Sequence, residues 1–201
     1  MTQYQHLTVL GDSITDQRNH YAHKWYYQWL AEWLAIPTIT NLGISGSTIA
    51  QPYEPMVERW QAIPATTDLL LIYAGVNDFG RNVPLGQLTD QTTTTFYGAL
   101  QQLLGSITQR YPQTMVYFIS HVAIGTAFFP AVNQEGYQQQ DYEAAIAQVT
   151  ALFGVQHISL FHESTLSFAD TQQAVALSLD SLHPNDAGHK KIAQLLRTKI
   201  R

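Results

Sequence analysis

The stretch 8-TVLGDSITDQ-17 decides how this chain is read. Its apolar run is of strand character, stops at Gly11, and passes within a few positions into Asp12, Ser13, Thr15 and Asp16. A run that halts at glycine and turns polar reads as a strand delivering a loop at its carboxyl end. Ser13 then has three readings. With Gly11 making the turn, it or Asp12 caps a following helix. It belongs to a phosphate loop, although repeated glycines or a lysine are missing and an anionic Asp12 would repel phosphate. Or it is a nucleophile.

Four more runs of strand length follow: PTITNLG (37–43), DLLLIYAG (68–75), TMVYFIS (114–120) and VQHISLF (155–161). Helical segments alternate with them over 21–35, 51–63, 88–111, 136–154 and 184–200. Regular alternation implies parallel strands joined by crossover helices. The expectation is one domain over residues 1–201, an α/β fold built as a three-layer α/β/α sandwich on a five-stranded parallel sheet. Ligands of such sheets collect beyond the carboxyl ends of the strands. Ser13, Gly43, Asn77, His121 and the segment 180-DSLHPND-186 all follow predicted strands, so five loops converge on one edge. The irregular segment 121–136 borders that edge and is long for a compact domain.

Composition narrows the function. Charged residues make up 12% of the 201, about half the usual share, and the formal net charge is -5. Without a basic stripe to neutralise phosphates, nucleic acid is not an expected partner. The absence of cysteine removes disulfides, thiolate metal sites and a cysteine nucleophile. The start of the chain lacks a basic region followed by an apolar one, and the run LLLIYAGV is too short to span a bilayer, so a cytoplasmic location and no membrane span are expected.

A serine hydroxyl becomes a useful nucleophile only beside a base. His183 can be that base, and Asp180, three residues earlier, can accept from its other ring nitrogen and orient it. A histidine just before a Pro-initiated helix also sits near the positive end of the helix dipole. Acyl transfer further needs donors aimed at the oxygen that becomes negative. The N–H of Gly43, the side-chain amide of Asn77 and the N–H of Ser13 are the candidates, each with an ordinary turn role as its alternative.

These blocks, GDSIT, the Gly43 turn, GVND and DSLHP, resemble in order and spacing the four blocks of the GDSL or SGNH hydrolase superfamily across nearly the whole chain. The resemblance implies Ser13 as nucleophile, His183 as base, Asp180 as its orienting acid, and Ser13, Gly43 and Asn77 as the oxyanion donors. It also implies a flavodoxin-like strand order, 2-1-3-4-5. The function it points to is a serine esterase acting on small, acetyl-type esters of carbohydrates or other polar alcohols, with no cofactor. The alternatives are a lipase- or thioesterase-like hydrolase of longer acyl chains and a non-catalytic flavodoxin-like binding domain.

Other patterns fall short. GISGS at 43–47 lacks the final glycine of a G-x-S-x-G elbow, and HESTL at 162–166 lacks the second histidine of H-E-x-x-H. His20 and His23 are spaced as a metal pair but lack a third ligand nearby, so no metal is expected. Trp25, Trp29 and Trp33 form a ridge at helical spacing, expected to pack on the sheet or to serve a homo-oligomer. Phe79, Phe128 and Phe129 are the candidates for lining a substrate pocket.

Overall fold

A computed structural model describes residues 4–163 and 165–200. The strands β1 (His6–Gly11), β2 (Thr38–Gly43), β3 (Leu69–Ala74), β4 (Met115–Ser120) and β5 (Gln156–Ser159) form one sheet in the order β2-β1-β3-β4-β5. Every neighbouring pair is parallel. Gly11 stands opposite Gly43 on one side and Tyr73 on the other, and Ala74 opposite Ser120, so the four strand ends are level. That register brings the following loops to one edge.

The helices are α1 (Tyr26–Leu34), α2 (Met56–Arg59), α3 (Val76–Gly80), α4 (Phe96–Arg110), α5 (Gln139–Leu152), α6 (Thr171–Leu177) and α7 (Asp186–Lys199). Alternate residues of a strand point to opposite faces, and each face here has its own apolar cover. Leu70, Ile72, Val116 and Phe118 pack with Phe96, Leu100 and Leu103 of α4 and Ile146 and Val149 of α5. Leu69, Leu71, Tyr73 and Ile119 pack with Tyr26 and Leu30 of α1 and Ile192 and Leu196 of α7. Two apolar faces explain why the central strands read as unbroken apolar runs rather than as alternation. Among the described residues, no helix is long and apolar enough to cross a membrane.

Several boundaries differ from the sequence reading. The first helix begins at Tyr26 rather than at 21, because the segment before it is spent on tethering: the His23 N–H and ring nitrogen both bond the Asp186 carboxylate at 2.7 Å. The fourth begins at Phe96, with Thr95 as its cap, since a run of β-branched threonines makes a poor first turn. The short helices α3 and α6 were not anticipated. Because α6 intervenes, the segment carrying Asp180 and His183 follows a helix and not β5 directly.

The tryptophan ridge divides, with Trp25 buried in the core on the α1 and α7 face of the sheet. Tyr26, Tyr27, Leu30 and Ala31 make the buried face of α1, while Trp29 and Trp33 flank it only partly buried. Lys24 and Lys190 lie over the Trp29 ring and Arg197 over Trp33, so the aromatic flank is covered by cations from its own chain.

Candidate active site

Gly11 ends β1, and the chain makes a turn through Asp12 to Thr15 rather than entering a helix. The helix-cap reading of Ser13 therefore fails: Asp16 caps the short 3-10 turn Gln17–Asn19, and α1 starts much later. Asp12 also differs from expectation. It is fully buried, its Oδ1 accepts the Ile14 N–H at 3.0 Å, and burial pushes its carboxyl up to about 7. It holds the turn from inside and does not face an incoming phosphate.

Ser13 is left at the mouth of the turn, 9% exposed, with its Oγ 3.0 Å from Nε2 of His183. Nδ1 of His183 is 2.7 Å from Oδ2 of Asp180, whose Oδ1 accepts the N–H groups of Leu182 at 3.0 Å and His183 at 2.7 Å. Burial alone would raise the Asp180 pKa, but the His183 N–H and imidazole, with the Leu182 N–H, hold it below the ordinary carboxylate range. An ionised Asp180 can only accept, so the Nδ1 of a neutral His183 carries the proton and Nε2 is free to accept the Ser13 hydroxyl. Ser181, at φ 67, lets the loop reverse so tightly that Asp180 grips both backbone and ring.

The expectation for Gly43 needs correction. Its N–H already donates to Oδ1 of Asn41 at 2.7 Å, and it lines a cavity of about 330 Å³ with Asp16, Arg18 and Arg59 that neither Ser13 nor His183 lines. Its lack of a side chain has a packing reason. A Cβ there would lie 2.6 Å from the Asp16 nitrogen and the Thr15 carbonyl carbon, both backbone atoms that cannot swing aside. Gly43→Ala should therefore cost about 1–3 kcal/mol of stability, read as a fall in Tm of roughly 3–10 °C. An unchanged Tm would show that the β1 loop yields without cost.

Three residues further on, Gly46 has the free donor. Its φ of +78 lies in the left-handed region, and its N–H makes no hydrogen bond among the described residues. Its neighbours are tied to the Ser13 turn. Ser45 donates from N and Oγ to Asp16, both at 3.0 Å, and the Asn19 amide bonds the Ser13 carbonyl at 2.7 Å and the Ser45 hydroxyl at 3.4 Å. On the other side, the amide nitrogen of Asn77 donates to the Ser47 carbonyl at 3.0 Å, which spends one of its two hydrogens. Asn77 lies in the first turn of α3, not in an open turn, and is buried. The Ser13 N–H, like that of Gly46, has no partner among the described residues.

The supports were not legible beforehand. Although burial opposes it, the Arg18 guanidinium and the Ser45 N–H and hydroxyl hold the Asp16 carboxyl down at about 2. Asp78 accepts the N–H groups of Ile49 and Ala50 and so locks the loop after β2 onto α3. His121, at the end of β4, is turned into the core against Tyr73 and Phe168, where burial pushes it down to about 4 and keeps it neutral.

The aromatic candidates separate. Phe79 is buried in the core against Tyr142, with Phe129 packed on it, and is not a free wall over Ser13. Phe128 is 45% exposed, with its ring edge-on to His183 at 5.4 Å between centroids. Tyr21, not anticipated, lies 4.6 Å from the same imidazole and is 41% exposed. Two exposed rings thus flank the His183 imidazole.

The model of the GDSL-like lipase/acylhydrolase family matches residues 9–191. A protein of solved structure from Lactobacillus plantarum is 44% identical over 100% of this chain and 98% of its own, with a TM-score of 0.95. An acetyl xylan esterase is 18% identical, covering 98% of this chain and 100% of its own, with a TM-score of 0.69. A catalytic mutant of an acetylxylan esterase from Geobacillus stearothermophilus is also 18% identical, over 100% and 95%, with a TM-score of 0.68. At that identity the two esterases show a shared fold. Among curated proteins, no sequence matches.

Proposed function

The chain belongs to the GDSL-like lipase/acylhydrolase family, and from that premise we propose that it is a cofactor-independent serine esterase cleaving small acyl esters, acetyl esters above all, of carbohydrates or similar polar alcohols. The observation that carries this reading is the unbroken relay Ser13 Oγ, His183 Nε2, His183 Nδ1, Asp180 Oδ2, with links of 3.0 and 2.7 Å. In it the Ser13 hydroxyl attacks the ester carbonyl as His183 takes its proton, and Asp180 stabilises the imidazolium that forms. The carbonyl oxygen, now negative, is met by the N–H groups of Ser13 and Gly46 and by the second amide hydrogen of Asn77. His183 returns its proton to the departing alcohol. Water, activated by the same histidine, then releases the acyl group and restores Ser13.

Two features support the substrate class. The alcohol leaves past His183, where the rings of Tyr21 and Phe128 offer apolar faces to the ring of a sugar. The cavity beside Gly43 and the cavity of about 240 Å³ beside Phe79 are lined by neither Ser13 nor His183, which favours a short acyl group over a long one. The test is a series of p-nitrophenyl esters, from acetate through butyrate to octanoate, run beside an acetylated sugar. The expected result is a kcat/KM that falls by about tenfold or more from acetate to octanoate, with acetate released from the sugar; one misplaced methylene is worth up to about 1–3 kcal/mol. A preference for octanoate would move the reading to long acyl chains, and no turnover of any ester would leave a binding domain.

A further inference from the structure

We propose that Arg81 and Tyr53 form a subsite for a carboxylate carried by the ester substrate, a proposal that rests on the esterase reading and refines it. Arg81 ends α3, the helix of Asn77, and its N–H donates to the Asn77 carbonyl at 2.8 Å. Its guanidinium reaches back to the Gly46 turn. A Cβ built on Gly46 would lie 2.7 Å from Nη2 of Arg81, so the cation occupies the space beside the free Gly46 N–H. It lies over the ring of Tyr53, 4.5 Å from the centroid, and Tyr53 is itself 42% exposed.

The other two arginines near the strand ends are already engaged. Arg18 pairs with Asp16 at 2.8 Å and donates to the Gly43 carbonyl. Arg59 donates to the carbonyls of Leu42, Glu54 and Gly11 and to the Ser47 hydroxyl. Among the described residues, Arg81 has no ion pair, and its guanidinium donates no hydrogen bond. Stacking on Tyr53 holds the group while leaving its N–H donors for a ligand. In a chain of formal net charge -5, an unpaired guanidinium beside a candidate oxyanion donor suits a planar anion that accepts two parallel bonds, which is a carboxylate. The carboxylate can belong to the acyl group, as in a succinyl half-ester, or to the alcohol, as in an acidic sugar.

Two matched pairs of esters test this: monophenyl succinate against phenyl butyrate, and 4-carboxyphenyl acetate against phenyl acetate. The quantity read is the ratio of kcat/KM for the anionic ester over its neutral partner, in the unmodified protein and in Arg81→Gln and Arg81→Lys. A charge-assisted bond lost predicts that one pair's ratio falls about tenfold to a hundredfold in Arg81→Gln and recovers partly in Arg81→Lys, which keeps the charge but not the fork. The pair that responds identifies whether the acyl group or the alcohol bears the carboxylate. Ratios that stay within about twofold in both pairs, while neutral esters are turned over, overturn the Arg81 subsite alone. If the unmodified protein hydrolyses none of the four, the esterase reading falls and the subsite with it.

Discussion

Ser13→Ala and His183→Ala should each lower kcat by a factor of at least about 10⁴, and the double variant should be little slower than either, because nucleophile and base act as one unit. Without Oγ there is no atom to form the acyl-enzyme, and His183 has no proton to take. Without the imidazole, the hydroxyl remains but is a poor nucleophile at neutral pH. What survives in all three variants is the contribution of the donors and of substrate binding, so their rates converge. The measurement is kcat on p-nitrophenyl acetate for the four proteins, with a thermal melt of each to establish that it is folded. Losses that multiply, to about 10⁸ in the double variant, would mean that the two side chains contribute separately despite their 3.0 Å contact.

Asn77→Ala should cut kcat by roughly 10² to 10³ with little change in KM, since a donor aimed at the developing oxyanion gains strength only as charge appears. A stability loss accompanies it. The Asn77 amide also holds the Ser47 carbonyl at 3.0 Å, and removing a buried hydrogen-bond partner costs about 1–3 kcal/mol. The two effects are separable, because a rate measured well below the melting transition reports only folded protein. A variant that melts early but keeps full kcat would confine Asn77 to holding the Ser47 turn. The oxyanion would then be met by the backbone donors of Ser13 and Gly46.

The strands were legible because a sheet covered on both faces writes itself as short apolar runs, and LLLIYA between two polar segments admits few other readings. Their carboxyl ends then located Ser13 and Asn77 without any side-chain geometry. Choosing between Gly43 and Gly46 was another matter. Both lie in one glycine-containing turn, and the choice depends on whether the Asn41 side chain curls forward to take the Gly43 N–H, which only the folded turn displays. The direction of Asp12 was hidden for the same reason: a carboxylate beside a loop serine reads as facing a ligand until its burial is seen. The helices α3 and α6, of five and seven residues, are too short to show a helical period. Tyr21 could not be connected to His183 from sequence, because the two meet only after the segment before α1 is tied to Asp186 at the start of α7.

The central claim is that Ser13 is the nucleophile, and a fluorophosphonate probe tests it most directly. Such a probe forms a stable adduct with a serine only where a neighbouring base has activated it. Ser13 displaces fluoride from phosphorus, so intact protein should gain the mass of one probe less HF, peptide mapping should place the adduct on Ser13, and His183→Ala should abolish the labelling. An adduct on Ser45 or Ser47, or labelling of Ser13 that persists undiminished without His183, would contradict the account.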